Sequence, residues 1–229
     1  RLQATVSVRD VFEAPSVRSL AALVVSAGES RAPITAVAVR PDRIPLSLAQ
    51  QRMWFINRFD PLAPTYNIPI ALRLHGAIDV AALRAALLDV LARHEVLRTV
   101  FPADTAGPHQ VVVPIDRVEG MLDWHVVDTD PDEVLASATR GFDVTSDLPV
   151  RARVHAERDD EWLFVLTLHH IAGDGESMAP LVNDLVGAYA ARVAGVAPQM
   201  APLTVQSADV ALWQLRELGE VDDEHSVMG

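Results

Sequence analysis

The chain has 229 residues, half of them hydrophobic, and a formal net charge of −12. Its 19 basic residues are all arginine and cysteine is absent, which excludes disulfides and thiolate metal sites. An acidic chain without a basic run argues against nucleic acid as a partner, and no apolar run is long enough to span a bilayer.

Arg1-Leu2-Gln3 does not open a secretory signal, so the expectation is a soluble cytoplasmic protein. The lysine-free, Ala/Val/Arg/Asp-rich composition suits a GC-rich bacterial genome.

Three pieces follow in chain order. Residues 1–27 contain VRDVFEAPSVRSLAALVV, where Val17, Leu20, Ala21 and Val24 fall at helical spacing behind Pro15, with Ser16 as N-cap. So short a segment cannot bury its own apolar face, and it reads as the end of a domain that begins upstream. Residues 28–44 hold prolines and little periodicity, a linker pattern. Residues 45–229 form the main domain.

In that domain SLAQQRMWFINRF starts a helix with the capping box of Ser47 and Gln50. YNIPIALRLHG alternates, with Ile68, Ile70, Leu72 and Leu74 on one face of a strand. Asp79 then caps an amphipathic helix with a stripe of Leu83, Leu87, Val90, Leu91, His94 and Leu97. Short strands are predicted at Gln110–Pro114 and Trp124–Val127, and a helix over Asp132–Arg140 followed by Gly141. Strands Val150–Glu157 and Trp162–His169 are joined by Arg158-Asp159-Asp160 as a hairpin. A helix from about Ser177 to Val193 carries Met178, Leu181, Val182, Leu185 and Tyr189 on one side. Strands interspersed with helices predict an α/β fold, a mixed β-sheet packed with helices.

The stretch LHHIAGDGES, Leu168–Ser177, concentrates the chemistry. Both faces of the preceding strand are apolar, so it is predicted to be covered on both sides. Neighbouring strand side chains point oppositely, so His169 and His170 cannot share one task. Gly173 and Gly175 permit a sharp turn and close approach of a ligand, and the helix that follows opens with N–H groups that favour negative charge. A candidate base beside candidate oxyanion donors suits acyl transfer. Spacing alone leaves catalysis and a packed strand-end histidine both open. Asp174 holds either an imidazole or an arginine. No HExxH-like spacing points to a metal. His94 reads as a satisfied buried histidine, while His75, His109, His125, His155 and His225 stand alone.

HHIAGDG, His169–Gly175, matches the HHxxxDG signature of the condensation domains of nonribosomal peptide synthetases. SLAQQRMWF (Ser47–Phe55), RHEVLRTVF (Arg93–Phe101), DLPVRARV (Asp147–Val154) and VQSADVALWQ (Val205–Gln214) resemble further motifs of that family, in the right order. VFEAPSVRSLA, Val11–Ala21, resembles the last helices of a peptidyl carrier domain. The resemblance implies a chloramphenicol-acetyltransferase-like fold of two lobes. A tunnel between them admits a 4'-phosphopantetheine arm from each side. Only the first lobe is expected in this chain, which alone would be inactive.

By the resemblance, His170 positions or deprotonates the acceptor amine, Gly175 offers its N–H to the oxyanion, and His169 supports them. Asp174 is implied to be a structural aspartate paired with Arg151 beneath the loop. Ser47, Gln50, Arg52, His94, Arg98, Glu176 and Ser177 are tunnel or motif candidates. Glu176 stands where many relatives carry an aromatic residue. The implied partners are upstream (donor) and downstream (acceptor) carrier domains, the second lobe and an adenylation domain. No cofactor is bound directly. A carrier joined by a short linker leaves no room for an epimerization domain, implying an L-configured donor. The alternatives are a catalytically silent docking platform, an epimerization domain and a standalone coenzyme A-dependent acyltransferase. An intact histidine signature argues against the first of these, since the recruiting type usually has a disrupted motif.

Overall fold

A computed structural model describes residues 8–26, 32–127, 131–158 and 160–218. Its helices and strands, in chain order, are α1 (Val8–Glu13), α2 (Val17–Ser26), α3 (Leu48–Phe59), β1 (Asn67–His75), α4 (Val80–Arg93), β2 (Thr99–Val100), β3 (Ala103–Asp104), β4 (Gly107–Pro108), β5 (Val111–Val112), α5 (Ile115–Met121), β6 (Asp123–Val127), α6 (Pro131–Thr139), β7 (Val150–Arg158), β8 (Glu161–His169), α7 (Gly175–Val193) and α8 (Ser207–Leu218). Short 3₁₀ turns cover Pro64–Tyr66 and Glu95–Arg98.

The predicted caps form. Ser47 and Gln50 close their reciprocal box at the start of α3, and the Asp79 carboxylate accepts from Ala82 N–H at 2.9 Å. In the first segment Ser19 N–H donates to Ser16 Oγ at 3.1 Å, which caps α2. The strand predicted around residue 110 is reduced to the two residues of β5. Part of the first segment, part of the predicted linker, the turn residue Asp159 and His225 lie outside the described residues.

The main sheet runs β1-β8-β7-β6. β1 and β7 both pair antiparallel with β8, while β6 lies parallel to β7, so the sheet is mixed. One face carries Ile70, Leu72, Phe164, Leu166, Leu168, Val150, Ala152 and Val154, which pack with Leu87, Val90, Leu91, Leu181 and Leu185 of α4 and α7. Removing each fully buried leucine, valine or phenylalanine among them from water stabilises the fold by about 1.5–3 kcal/mol. The opposite face is smaller and more polar: Val127, Val134 and Val165 form an apolar cluster beside the buried Arg151, Arg153, His155, Thr167 and His169.

Residues 32–43 of the predicted linker contain no helix or strand, yet they are held. Arg40 reaches Asp209 of α8 through Nε at 3.0 Å and Glu95 through Nη1 at 2.5 Å. The inward face of α3 is polar at both ends, with Gln50 and Asn57 buried. Asn57 Nδ2 donates to the Phe142 carbonyl at 2.8 Å, fixing the segment before β7.

That segment also passes close to the turn after α3. A Cβ on Gly141 would lie 2.3 Å from the Pro61 carbonyl oxygen and 2.5 Å from the Leu62 carbonyl carbon. Both obstacles are backbone, so Gly141→Ala must push two chain segments apart, at an expected cost of about 1–3 kcal/mol. Urea unfolding of the variant against the parent chain measures it.

Candidate active site

β8 ends at His169, and the chain turns through Ile171–Gly173 into α7. His169 is buried. Its Nδ1 accepts from Ile171 N–H at 3.1 Å, and the Phe142 ring meets it edge-on with centroids 6.0 Å apart. Burial, with the neighbouring His170 adding to it, lowers the His169 pKa to about 4, so the ring is neutral at pH 7. His170 is half-buried, and its Nδ1 is buried without a hydrogen-bond partner among the described residues. Its N–H donates to the Tyr66 carbonyl at 2.8 Å, which carries the β1–β8 ladder one residue beyond the Asn67–His169 pair. Phe142 packs on His169, and the Tyr66 ring lies against both imidazoles.

The helix starts two residues earlier than expected, because Asp174 is its N-cap. The Asp174 carboxylate accepts from Ser177 Oγ at 2.7 Å and Ser177 N–H at 3.0 Å, while Asp174 N–H donates back to Ser177 Oγ. The Ser177 hydroxyl and then its N–H hold the Asp174 carboxyl below its ordinary value. Gly175 is the first helical residue and is exposed, a position whose N–H has no acceptor within the helix. Neither Gly173 nor Gly175 has a positive φ, so the turn does not require glycine at either position. Gly173 packs closely: a Cβ there would sit 3.3 Å from Ser177 Cβ. Glu176 is exposed in the first turn of α7.

Asp174 and Arg151 do not pair. Arg151 belongs to the sheet face that carries Thr167, its register partner, whereas α7 packs against the other face. The sheet stands between them. Arg151 Nε instead donates to Asp123 Oδ2 at 2.8 Å, and its two Nη groups reach the carbonyls of Ser137, Arg140 and Gly141 at 2.8–2.9 Å. Its guanidinium also lies 4.1 Å above the Phe142 ring centroid. Asp123 binds Arg153 at 2.7 Å and Arg140 as well. Burial opposes ionisation of Asp123, but the hydrogen bond and charge of Arg153, with Arg140 and Arg151, outweigh it and hold the carboxyl below its usual range.

The remaining sequence candidates are spread out. Ser47 and Gln50 are spent on capping α3, and Arg52 is exposed on that helix. His94 is the C-cap of α4 rather than part of its stripe, half-buried, with Nε2 2.6 Å from Asp184 Oδ2. Arg98 donates to the carbonyls of Leu91 and Val113, which makes it a strut between α4 and the residue that follows β5. An apolar pocket of about 250 Å³ brings His94 and Ser177 together with Leu97, Leu168, Gly173 and Met178, directly against the histidine loop. Among the described residues no group of His, Asp and Glu side chains is arranged to hold a metal ion, and no helix is long and apolar enough to cross a membrane. Tyr66, Asn57, Asp123 and Phe142 were not singled out by the sequence. The pairing of Gln50 with Asn57 seven residues on, among apolar neighbours, was the available signal for a polar inner face.

The condensation-domain family model matches residues 41–225, so the chain belongs to the condensation domains. It is 43% identical over 229 residues to a dimodular nonribosomal peptide synthase of Bacillus subtilis, a match covering 98% of this chain and 10% of that protein. Among solved structures, the complex of the X-domain and OxyB from teicoplanin biosynthesis matches with a TM-score of 0.74 and 39% identity, over 86% of this chain and 43% of the other. The first condensation domain of the calcium-dependent antibiotic synthetase, in complex with a substrate analogue, matches at 0.62 and 25%, over 71% and 41%. The fold is thus chloramphenicol-acetyltransferase-like, that of nonribosomal peptide synthetase condensation domains, a family that works with carrier-borne phosphopantetheine. The chain spans 3–10% of the length of three curated relatives.

Two outcomes are expected. Replacing Arg151 by Met removes one of the three arginines on Asp123 and leaves three carbonyls without their donor, and should cost about 1–3 kcal/mol in a denaturant melt. For His169, the unfolded ring takes a proton near pH 6.5 that the folded ring refuses until about pH 4. Stability should therefore fall on acidification through that window, by up to about 1.4 kcal/mol per pH unit from this group. His169→Asn, unfolded by urea at pH 7, 6 and 5, should show a pH slope shallower by that amount.

Proposed function

We propose that the chain is the histidine-bearing N-terminal lobe of a condensation domain in a longer synthetase, where it joins two carrier-bound substrates. On this reading residues 45–229 are the lobe, residues 28–44 the linker and residues 1–27 the end of an upstream carrier domain, whose last helices would be α1 and α2. The donor aminoacyl or peptidyl thioester comes on that carrier's phosphopantetheine arm, and the acceptor aminoacyl thioester on a downstream carrier. A second lobe completes the tunnel, and an adenylation domain of the module selects the residue loaded. An upstream carrier without an intervening epimerization domain favours an L-configured donor.

In the reaction, the acceptor amine attacks the donor carbonyl, a C–N bond forms and the C–S bond breaks. The amine proton passes to or along the imidazole of His170, and the departing sulfur ends as the donor carrier's free thiol. The observation that carries this reading is the geometry of His170. Its Nδ1 is buried, so Nε2 is the ring nitrogen that a substrate can approach, beside the exposed first turn of α7 with Gly175. The Gly175 N–H, which has no acceptor within the helix, suits the oxyanion of the tetrahedral intermediate. Asp174 supports the site by starting α7 where Gly175 is presented, and His169 by filling the core behind it, in place of the ion pair first expected.

A second reading has a specific observation behind it. The X-domain that matches at 39% identity is in a complex with OxyB, so a docking platform for a partner protein is the alternative for this chain. His170→Ala separates the two. In the intact synthetase with loaded carriers, dipeptide formation followed by mass spectrometry should drop at least 10²-fold while the melting curve is kept. Undiminished product from that variant would count against a catalytic His170.

A further inference from the structure

We infer that Tyr66 is a positioning residue for His170, and that its ring and carbonyl, rather than a carboxylate, set the direction in which the imidazole is presented. The inference rests on the condensation reading and deepens it at the same site.

In a Ser-His-Asp arrangement a carboxylate grips one imidazole nitrogen and so fixes the other. Among the described residues no carboxylate holds His170 in that way. Asp174, the nearest acidic residue along the chain, is committed to Ser177 Oγ and N–H. The buried Nδ1 of His170 has no hydrogen-bond partner among the described residues. Two contacts with Tyr66 fill that role. The first is the backbone bond from His170 N–H to the Tyr66 carbonyl, 2.8 Å long, which fixes where Cα and Cβ of His170 stand. The second is the ring itself. Tyr66 meets His170 nearly perpendicular, with an interplanar angle of 82° and centroids 6.3 Å apart, an edge-to-face geometry that restricts imidazole rotation.

Tyr66 is itself braced. Its ring lies 6.0 Å from His169, tilted at 49°. His169 is backed by Phe142, and Phe142 by the Arg151 guanidinium. A row of packed rings thus runs from the Asp123–Arg151 ion pair to the imidazole proposed to act. This gives Arg151 a connection to the site that does not pass through Asp174.

The test compares Tyr66→Phe, Tyr66→Leu and His170→Ala with the parent in the intact synthetase, by steady-state dipeptide formation between loaded carriers. Tyr66→Phe keeps the edge contact and should stay within about twofold of the parent. Tyr66→Leu keeps bulk but loses the ring, and kcat should fall about 10–100-fold, since a misplacement of about 1 Å costs that much, with KM for the acceptor carrier within twofold. Parent-like kcat for Tyr66→Leu overturns the inference. So does a loss confined to KM, or an equal loss in Tyr66→Phe, which would assign the effect to the hydroxyl. If Tyr66→Leu does not fold, Tyr66→Met carries the same comparison. His170→Ala separates the two levels. Full activity there defeats the condensation reading itself, whereas an inactive His170→Ala beside a fully active Tyr66→Leu defeats the positioning role alone.

Discussion

Strand β8 is hydrogen-bonded along both edges, to β1 and to β7, and that double ladder governs the rest of the molecule. A strand paired on both sides cannot slip by one residue without turning every side chain to the wrong face. Both of its faces are buried toward the C-terminal end, so a slip would put Thr167 and His169 among the leucines and Leu168 among the arginines. The same register that places the core also settles the two histidines. His169 lies on the polar, buried face beneath Phe142, and His170 projects at the ladder's last step, held by Tyr66.

The polar face is stable because one carboxylate serves several cations. Asp123 sits at the start of β6, opposite Arg151 in the parallel pair, and neutralises part of the charge of Arg140, Arg151 and Arg153. The remaining donors of Arg151 are absorbed by carbonyls at the end of α6 and just after it. A guanidinium with five donors suits this work better than an ammonium would, in keeping with a chain that uses arginine throughout. Because those carbonyls lead into Phe142, an ion pair at the sheet's edge bears on the packing around His169.

Much of the fold was legible in the sequence. The capping box at Ser47, the cap at Asp79, the alternation of β1 and the hairpin β7–β8 are local signals, written within a few residues of the structure they specify. The motif HHIAGDG, together with its four companion motifs, identified the family. The misreadings came where a local option competed with a distant one. Asp174 was assigned to Arg151, but the backbone and hydroxyl of Ser177 three residues away satisfy it at little cost in chain entropy. His94 fits the helical stripe by spacing, yet α4 ends one residue before it and its imidazole turns to Asp184.

What the sequence by itself determined was therefore the set of elements, the order of the motifs and the facing of the β8 side chains up to His169, since these follow from periodicities of 2 and 3.6 and from capping chemistry. Only the tertiary structure decided which charges meet and which ring touches which imidazole. Asp123 with Arg151, Arg40 with Asp209, and Tyr66 with His170 are separated by 28, 169 and 104 positions. A chain with 31 carboxylates and 19 arginines offers far too many such pairings to choose among by composition. Strand register and helix packing make the choice, because they bring a few of those groups within hydrogen-bonding distance and put a sheet between the others.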